Sequence, residues 1–250
     1  MKKTSSVILA FALAGAVLLI VGNLTRELQA QQPAQQPPAA QAAKPAAPAQ
    51  VPGGRGGPAP APKKHLLVVG MTRGFHHGST SDGLAMFWNL GKESGVWDTE
   101  IKTDMEWITN KQPGSEAHSL PFFDAVAFVN CTGDWKLDDE QKQALLSFVR
   151  DAGKGIVLAH ASIDANYNWP EFAEMAGGWF NAHPWNTFDA PVIVEDQSFP
   201  AMQHFPKRLR LYDEMYSARQ WSRDKVNVLM RMDENQLDYS NPQVAARLAR

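Results

Sequence analysis

A histidine follows directly on an apolar run near the middle of this sequence. The run, Gly155–Ala159 (GIVLA), is typical of a short buried strand, and it ends at His160, with Asp164 four residues further on. Open α/β sheets bind their ligands at the carboxyl ends of strands such as this one. His160 is therefore a candidate general acid/base or electrophile. The alternatives are a metal ligand and a buried histidine that is hydrogen-bonded to a neighbouring loop.

Two carboxylates stand where they could share a proton with this imidazole. Asp134 comes five residues after the apolar run Ala125–Val129, and Glu214 lies in the stretch that begins at Leu209. General acid/base catalysis needs a partner of this kind, held within hydrogen-bond reach. We predict catalytic roles for His160, Asp134 and Glu214. The alternative interpretation makes Asp134 a loop-turning residue and Glu214 part of a solvated edge.

Two more histidines lie in loops that could face the same edge of the sheet. His77 follows the first apolar run, and His183 precedes a proline. Neutral imidazoles are common ligands of divalent metals, so His77, His160 and His183 form a possible metal set. Since no local H-x-x-x-H pair is present, the alternative is that they are unrelated surface or core residues. The cofactor is open at this stage, with a divalent metal as the candidate.

Composition excludes several classes of partner and site. The 250 residues carry a formal net charge of -2, so we expect no nucleic acid as partner. The glycines of the loop after the first apolar run match neither a dinucleotide fingerprint nor a P-loop. The single cysteine, Cys131, excludes an intramolecular disulfide and a multi-cysteine zinc site.

The N-terminal part of the chain differs from the remainder. Residues 1–30 contain two early lysines and an apolar run of 15 residues, Val7 to Val21, which predict a signal peptide cleaved after Ala30. The alternative is an uncleaved anchor, which would be the chain's one contact with a membrane. Residues 31–62 hold nine of the 17 prolines and indicate a disordered linker. We expect an exported protein, either periplasmic, extracellular or anchored and facing outward.

Apolar runs alternate with amphipathic segments from residue 65 onward. Such alternation is typical of a parallel sheet with helices on both faces. Asp138 and Gln141 have the spacing of a capping box at the start of the clearest helix. The predicted strands are 66–70, 97–103, 125–129, 155–159, 191–195 and 226–232, and the predicted helices are 81–93, 138–152 and 170–176.

Seven short motifs, in order, resemble those of the ThuA-like (trehalose utilisation) domain. They are Gly74-Phe75-x-His77, Asn130-x-x-Gly133-Asp134, His160-Ala161-x-x-Asp164, Trp169-Pro170, Gly177-Gly178-x-Phe180, His183-Pro184-Trp185 and Asp213-Glu214-x-Tyr216. The resemblance implies a flavodoxin-like three-layer α/β/α sandwich over residues 63–250, with a mostly parallel sheet of the class I glutamine amidotransferase-like kind. It also implies a role in the use of a carbohydrate, either trehalose or a keto-sugar.

The resemblance to the ThuA-like domain also implies which class of substrate the candidate residues bind. It implies that a small-molecule carbohydrate is bound by His77, Asn130, Asp164, Trp169 and His183. The sugar would undergo acid/base or metal-assisted conversion, as in a hydrolase or isomerase. The alternative is a non-catalytic sugar-binding module tethered at the cell surface, because a pocket can outlast its chemistry.

Two departures from the family pattern affect these expectations. Amidotransferases carry a nucleophilic cysteine after the strand that here ends at His160, whereas Cys131 follows a different strand. Hydrolysis of glutamine by a thiolate is therefore not expected. The chain also ends at Arg250, before the Gly-rich strand region that usually closes the domain, so we expect a C-terminally truncated domain.

Overall fold

The computed structural model describes residues 62–112, 114 and 117–249. The predicted export segment (residues 1–30) and the predicted linker (residues 31–62) lie outside these residues, apart from Pro62. Within the described part of the chain, no helix combines the length and apolar character needed to cross a membrane.

The centre of the domain is a four-stranded sheet in which all neighbours are parallel. Its order is β2-β1-β3-β4, where β1 is Lys64–Val69, β2 is Trp97–Lys102, β3 is Ala125–Val129 and β4 is Gly155–Ala159. These continuous apolar runs suit strands that are covered on both faces. The prediction of a mostly parallel α/β sheet is confirmed.

Three helices connect these strands or follow them, as predicted from the periodicity. They are α1 (Thr80–Ser94), α2 (Asp139–Arg150) and α3 (Pro170–Ala176). The capping box before α2 is present, because Asp138 accepts from the Gln141 backbone at 2.8 Å and donates its own N–H to the Gln141 side chain at 3.1 Å. This reciprocal pair satisfies two of the orphan donors at the start of the helix.

The helices lie on both faces of the sheet. One face carries the larger core, in which Leu67 and Phe128 pack with Leu145 of α2 and Phe172 of α3. Side chains alternate along each strand, so the intervening residues point to the other face and pack against α1. That smaller core contains Leu66, Val68, Ala127, Val129, Leu84 and Phe87. The result is a three-layer α/β/α arrangement.

The C-terminal part adds two small antiparallel sheets and a last helix. Strands β5 (Trp179–Ala182) and β8 (Ser217–Arg219) form one pair, and β7 (Arg208–Glu214), β6 (Thr187–Val194) and β9 (Met230–Met232) form a three-stranded sheet. Helix α4, Pro242–Leu248, follows an Asn241 cap that accepts from the Gln243 N–H at 2.9 Å.

Two predicted strands in this region have the wrong bounds. The strand expected at 191–195 begins at Thr187, because β7 pairs with it over seven residues. The strand expected at 226–232 is reduced to Met230–Met232, because β6 offers only Val192–Val194 for pairing and a 3-10 turn precedes it at Arg223–Lys225. The bounds of both strands are decided by the length over which the neighbouring strand pairs with them. That length cannot be predicted from the local sequence.

The loops after β1, β3 and β4 are joined by backbone hydrogen bonds. The carbonyl of Thr132 accepts from Arg73 at 3.0 Å and from Gly74 at 3.2 Å, and the N–H of Gly133 donates to the carbonyl of Asp164 at 2.8 Å. Gly133 has φ +80°, and a Cβ at this position would stand 2.6 Å from the backbone nitrogen of Gly74. The close approach of the three loops therefore depends on a glycine at residue 133.

Substitution of Gly133 by alanine should reduce the free energy of unfolding more than the same substitution at Gly153, which has a similar φ but open space around its missing Cβ. Gly153 also has positive φ, at +65°, but nothing lies within 4 Å of its missing Cβ. Gly153→Ala should cost about 1 kcal/mol from the left-handed backbone alone. Gly133→Ala should cost about 1–3 kcal/mol more, because backbone atoms must move apart. Urea unfolding of both variants measures the difference, and equal losses would contradict the proposed crowding.

The thiol of Cys131 should be unreactive in the folded protein. It is buried, it donates to the Val69 carbonyl at 3.2 Å, and burial raises its pKa to about 12. At pH 8 almost none of it is thiolate, which is the reactive form. We expect iodoacetamide to leave the native protein unlabelled and to label it fully in urea, as followed by mass spectrometry. Comparable labelling rates in both conditions would show that the thiol is accessible.

Candidate functional site

His160 leaves strand β4 in an unusual backbone conformation. Its φ is +48°, and Asn130, the residue after β3, has φ +50°. The two residues are brought side by side because Val129 pairs with Ala159 in the parallel register. Non-glycine residues in the left-handed region are uncommon, and they cluster at functional sites where the surroundings hold them.

Ser162, the neighbour of His160, fixes this turn rather than taking part in the site. Its hydroxyl is buried, donates to the Phe128 carbonyl at 2.8 Å and accepts from the Cys131 N–H at 3.1 Å. The hydroxyl therefore ties the turn after β4 to the end of β3. His160 is positioned by these bonds, and its own side chain remains 24% exposed.

Three ligating side chains meet beside β4. His77, His160 and Glu214 each offer one ligand atom, and these atoms lie within 4.8 Å of one another. The two imidazole rings meet edge to face with centroids 4.8 Å apart. Nε2 of His160 is 3.8 Å from Oε2 of Glu214. The structure thus brings together residues from the loop after β1, the end of β4 and the end of β7.

The hydroxyl of Tyr216 lies between two members of this group. It donates to Oε2 of Glu214 at 3.1 Å and is 3.2 Å from Nε2 of His160. A phenol has one proton to donate, and an ionised carboxylate only accepts. With Glu214 as acceptor, Nε2 of His160 must carry a hydrogen and donate it to the phenolic oxygen. The three groups then form a continuous proton path.

The surroundings keep Tyr216 protonated and His77 neutral. Burial, followed by the negative charge of Glu214, raises the pKa of Tyr216 far above its usual range, so the phenol remains a donor. Burial and the adjacent His160 lower the pKa of His77. The His77 ring is therefore a neutral imidazole at neutral pH, able to accept a hydrogen bond or to ligate a metal.

Tyr216 is a site residue that the sequence-based predictions do not include, although it belongs to the motif Asp213-Glu214-x-Tyr216. The signal that could have found it is the spacing of two between Glu214 and Tyr216. In an extended segment such residues point to the same side, so a carboxylate at 214 predicts a neighbour at 216. Trp179 lies in the core, and the neighbouring Phe180 packs on Tyr216 with ring centroids 4.6 Å apart.

His183 lies next to the cluster but outside it. Its ring stacks on Phe180 at 5.9 Å and is 6.1 Å from the ring of Tyr216, and it is not among the three clustered ligands. Nδ1 of His183 and Nδ1 of His77 are both buried without a hydrogen-bond partner among the described residues. Buried polar atoms of this kind are normally satisfied by water or by a ligand.

Asn130 and Asp164 border the site and have structural partners. The amide nitrogen of Asn130 donates to Ser79 at 3.1 Å, which fastens the start of α1, while its carbonyl oxygen is buried without a partner among the described residues. Asp164 accepts a hydrogen bond from Tyr167, and its charge acts on both His77 and Tyr216. Asp164 is thus near the cluster, and Asn130 leaves the sheet beside His160.

Asp134 and Trp169 are not brought to this cluster. The carboxylate of Asp134 pairs with Nζ of Lys136 at 2.7 Å and accepts from the Lys136 N–H at 2.9 Å, and these bonds lower its pKa. Trp169 is buried in the main core, where its ring lies 5.7 Å from Phe172. In the structure these two residues close a loop and fill the core.

Comparisons with known proteins agree with this architecture. The model of the ThuA family, described as trehalose utilisation, matches residues 65–247. A ThuA-like protein from Bacteroides uniformis superposes with a TM-score of 0.55 at 21% identity, over 71% of this chain and 72% of that one. A ThuA-like protein from Parabacteroides merdae is 18% identical over 62% of this chain and 64% of its own, with a TM-score of 0.46. No curated protein matches the sequence significantly.

The Bacteroides uniformis structure shows the fold, and the match to the ThuA family model shows the family. That match covers well over half of the 250 residues and includes His77, His160 and Glu214. The chain belongs to the ThuA (trehalose utilisation) family.

Proposed function

We propose that this protein is an enzyme that converts a carbohydrate, either trehalose or a keto-sugar, by acid/base chemistry. The observation that carries the proposal is the Tyr216 hydroxyl, which joins Glu214 to His160 at 3.1 and 3.2 Å. The family description, trehalose utilisation, supports a sugar as the substrate class. The reaction would be a hydrolysis or an isomerisation in which one sugar hydroxyl or C–H loses a proton.

The proton path suits that chemistry because it can spread a developing charge. His160 would take the proton at Nδ1 and pass the proton on Nε2 to Tyr216, which in turn gives its own to Glu214. The imidazole then ends neutral, and the charge of Glu214 is cancelled in the same step. A positioned acid/base pair of this kind contributes about 10²–10⁴-fold to a rate.

The remaining candidates would hold the sugar. Nδ1 of His77, Nδ1 of His183 and the side-chain oxygen of Asn130 are buried without partners among the described residues, so sugar hydroxyls could satisfy them. Asp164 would accept from a further hydroxyl. These groups would fix the orientation of the sugar relative to His160. Correct orientation of a bound substrate can supply a large part of an enzyme's rate enhancement.

A second candidate function is a sugar-binding module without turnover. Phe75 favours it, because this ring is 69% exposed and stands edge to face with His77 at 4.8 Å. An exposed aromatic face next to polar groups is a platform on which the C–H face of a sugar can stack. The two functions use the same site and differ in whether a bond changes.

We also propose that the domain is exported. The support is the sequence alone: an apolar run of 15 residues near the N-terminus and a proline-rich segment before the folded domain. The domain would then act in the periplasm or outside the cell, released after cleavage or held by an uncleaved anchor.

Deletion of the apolar run should keep the protein inside the cell. We expect the full chain, expressed in a bacterial host, to be found in the periplasmic or membrane fraction, and the chain without residues 7–21 in the cytosol. Removal of 15 linker residues, 36–50, is the matched control and should not change the fraction. The intact mass separates cleavage after Ala30 from an anchor. Identical distribution of the full chain and the 7–21 deletion would refute export through this segment.

Removal of the Tyr216 hydroxyl should slow turnover with little effect on binding. We expect a panel of disaccharides, including trehalose and keto forms, to contain a substrate. On that substrate, Tyr216→Phe should lower kcat about 10²-fold or more with KM nearly unchanged, and His160→Ala should abolish turnover. Tyr212→Phe is the matched control, because Tyr212 lies on β7, four residues before Tyr216, is 72% exposed and should have wild-type kinetics.

Two results would separate the candidate functions. Calorimetric binding of a sugar without any turnover would favour the binding module and exclude the enzyme. Turnover that is equal in the wild type and in His160→Ala would show that the chemistry takes place elsewhere.

A further inference from the structure

The cluster beside β4 has the donor set of a metal site. Two imidazoles, from His77 and His160, and one carboxylate, from Glu214, place a ligand atom each within 4.8 Å of one another. Catalytic zinc sites commonly use three protein ligands of these types and leave the fourth position for water or substrate. Magnesium and calcium prefer oxygen ligands throughout, so two nitrogens favour a transition metal.

The distances are compatible with closure on an ion. Tetrahedral zinc, with bonds of about 2.1 Å, holds its ligand atoms about 3.4 Å apart. Nε2 of His160 and Oε2 of Glu214 are already 3.8 Å apart, and the widest separation in the group is 4.8 Å or less. The three side chains are partly exposed, so shifts of roughly 1 Å need only small side-chain rotations.

We propose that His77, His160 and Glu214 bind one divalent transition-metal ion, with zinc as the best match to this donor set. The sequence had suggested His183 as the third ligand. The structure favours Glu214, because Glu214 is in the cluster and His183 stacks on Phe180 outside it. Metal binding uses residues of the proposed sugar site, and its test does not require the sugar chemistry.

Tyr216 contacts two of the proposed ligands. Its hydroxyl donates to Oε2 of Glu214 and lies 3.2 Å from Nε2 of His160, so an ion bound at these two atoms would compete with the phenol. In the structure the phenol contacts both side chains. Its loss removes a competitor and not a ligand, so Tyr216→Phe should bind metal at least as tightly as the wild type.

The test is metal binding to the full chain in the absence of any sugar. The protein is treated with a chelator, dialysed and titrated with Co²⁺, whose visible absorption reports its coordination, and with Zn²⁺ by calorimetry. We expect one ion per chain. His77→Ala and Glu214→Gln should each weaken binding by about a hundredfold or more, since loss of even an outer-shell partner costs 10–100-fold.

Two histidine variants serve as controls. His118 pairs with Glu100 at 2.8 Å, away from the cluster, and His118→Ala should bind as the wild type does. His183→Ala should also bind within about threefold of the wild type. Circular dichroism checks the folding of each variant. If His77→Ala does not fold, Glu214→Gln decides alone, because the amide has the shape of the carboxylate.

Three outcomes would overturn the proposal. They are no binding of Co²⁺ or Zn²⁺ by the folded wild type, binding that survives Glu214→Gln unchanged, and binding that is lost in His183→Ala or in His118→Ala. Failure to find a sugar substrate would leave this result unaffected, because no sugar enters the experiment.

Discussion

The parallel pairing of β3 with β4 is the constraint on which the site depends. It brings the ends of the two strands to the same level, so that Asn130 and His160 leave the sheet side by side. The buried hydroxyl of Ser162 then bridges the backbones of the two strand ends. A buried group that loses such a partner costs about 1–3 kcal/mol, so the turn is held before a ligand arrives. The left-handed backbone of His160 is maintained by this arrangement.

The second half of the site comes from the antiparallel C-terminal region. Glu214 ends β7 and Tyr216 precedes β8, and both strands are antiparallel elements of the C-terminal part. Phe180 of β5 packs edge to face on the ring of Tyr216, with centroids 4.6 Å apart. The contact between His160 and Tyr216 therefore joins the parallel sheet to the antiparallel region. Any change that moves β7 relative to β4 alters the hydrogen bonds of the site as well as the packing.

The sequence predicted the parallel sheet and its helices well because their signals are local. Apolar runs bounded by glycine and an Asp138 cap need no knowledge of distant residues. Predicting which residues belong to the site, in contrast, requires knowledge of distant residues. Asp134 follows a strand end as His160 does, yet Lys136 takes its carboxylate. Trp169 stands next to polar residues, but its ring enters the core. The bounds of the C-terminal strands depended on partner length in the same way.

A histidine at the end of β4 changes the chemistry open to this fold. Under the two proposals His160 would move protons or bind a metal, whereas the buried Cys131 remains a neutral thiol at neutral pH. An ion at Nε2 would compete with the proton path, because Nε2 that donates to Tyr216 has no lone pair for an ion. Under both proposals Tyr216 would select between the two uses. With the phenol bonded, the three side chains would form the proposed proton path. With His77, His160 and Glu214 holding an ion, the ion would act as a Lewis acid, and the phenol would be free to bond a substrate hydroxyl.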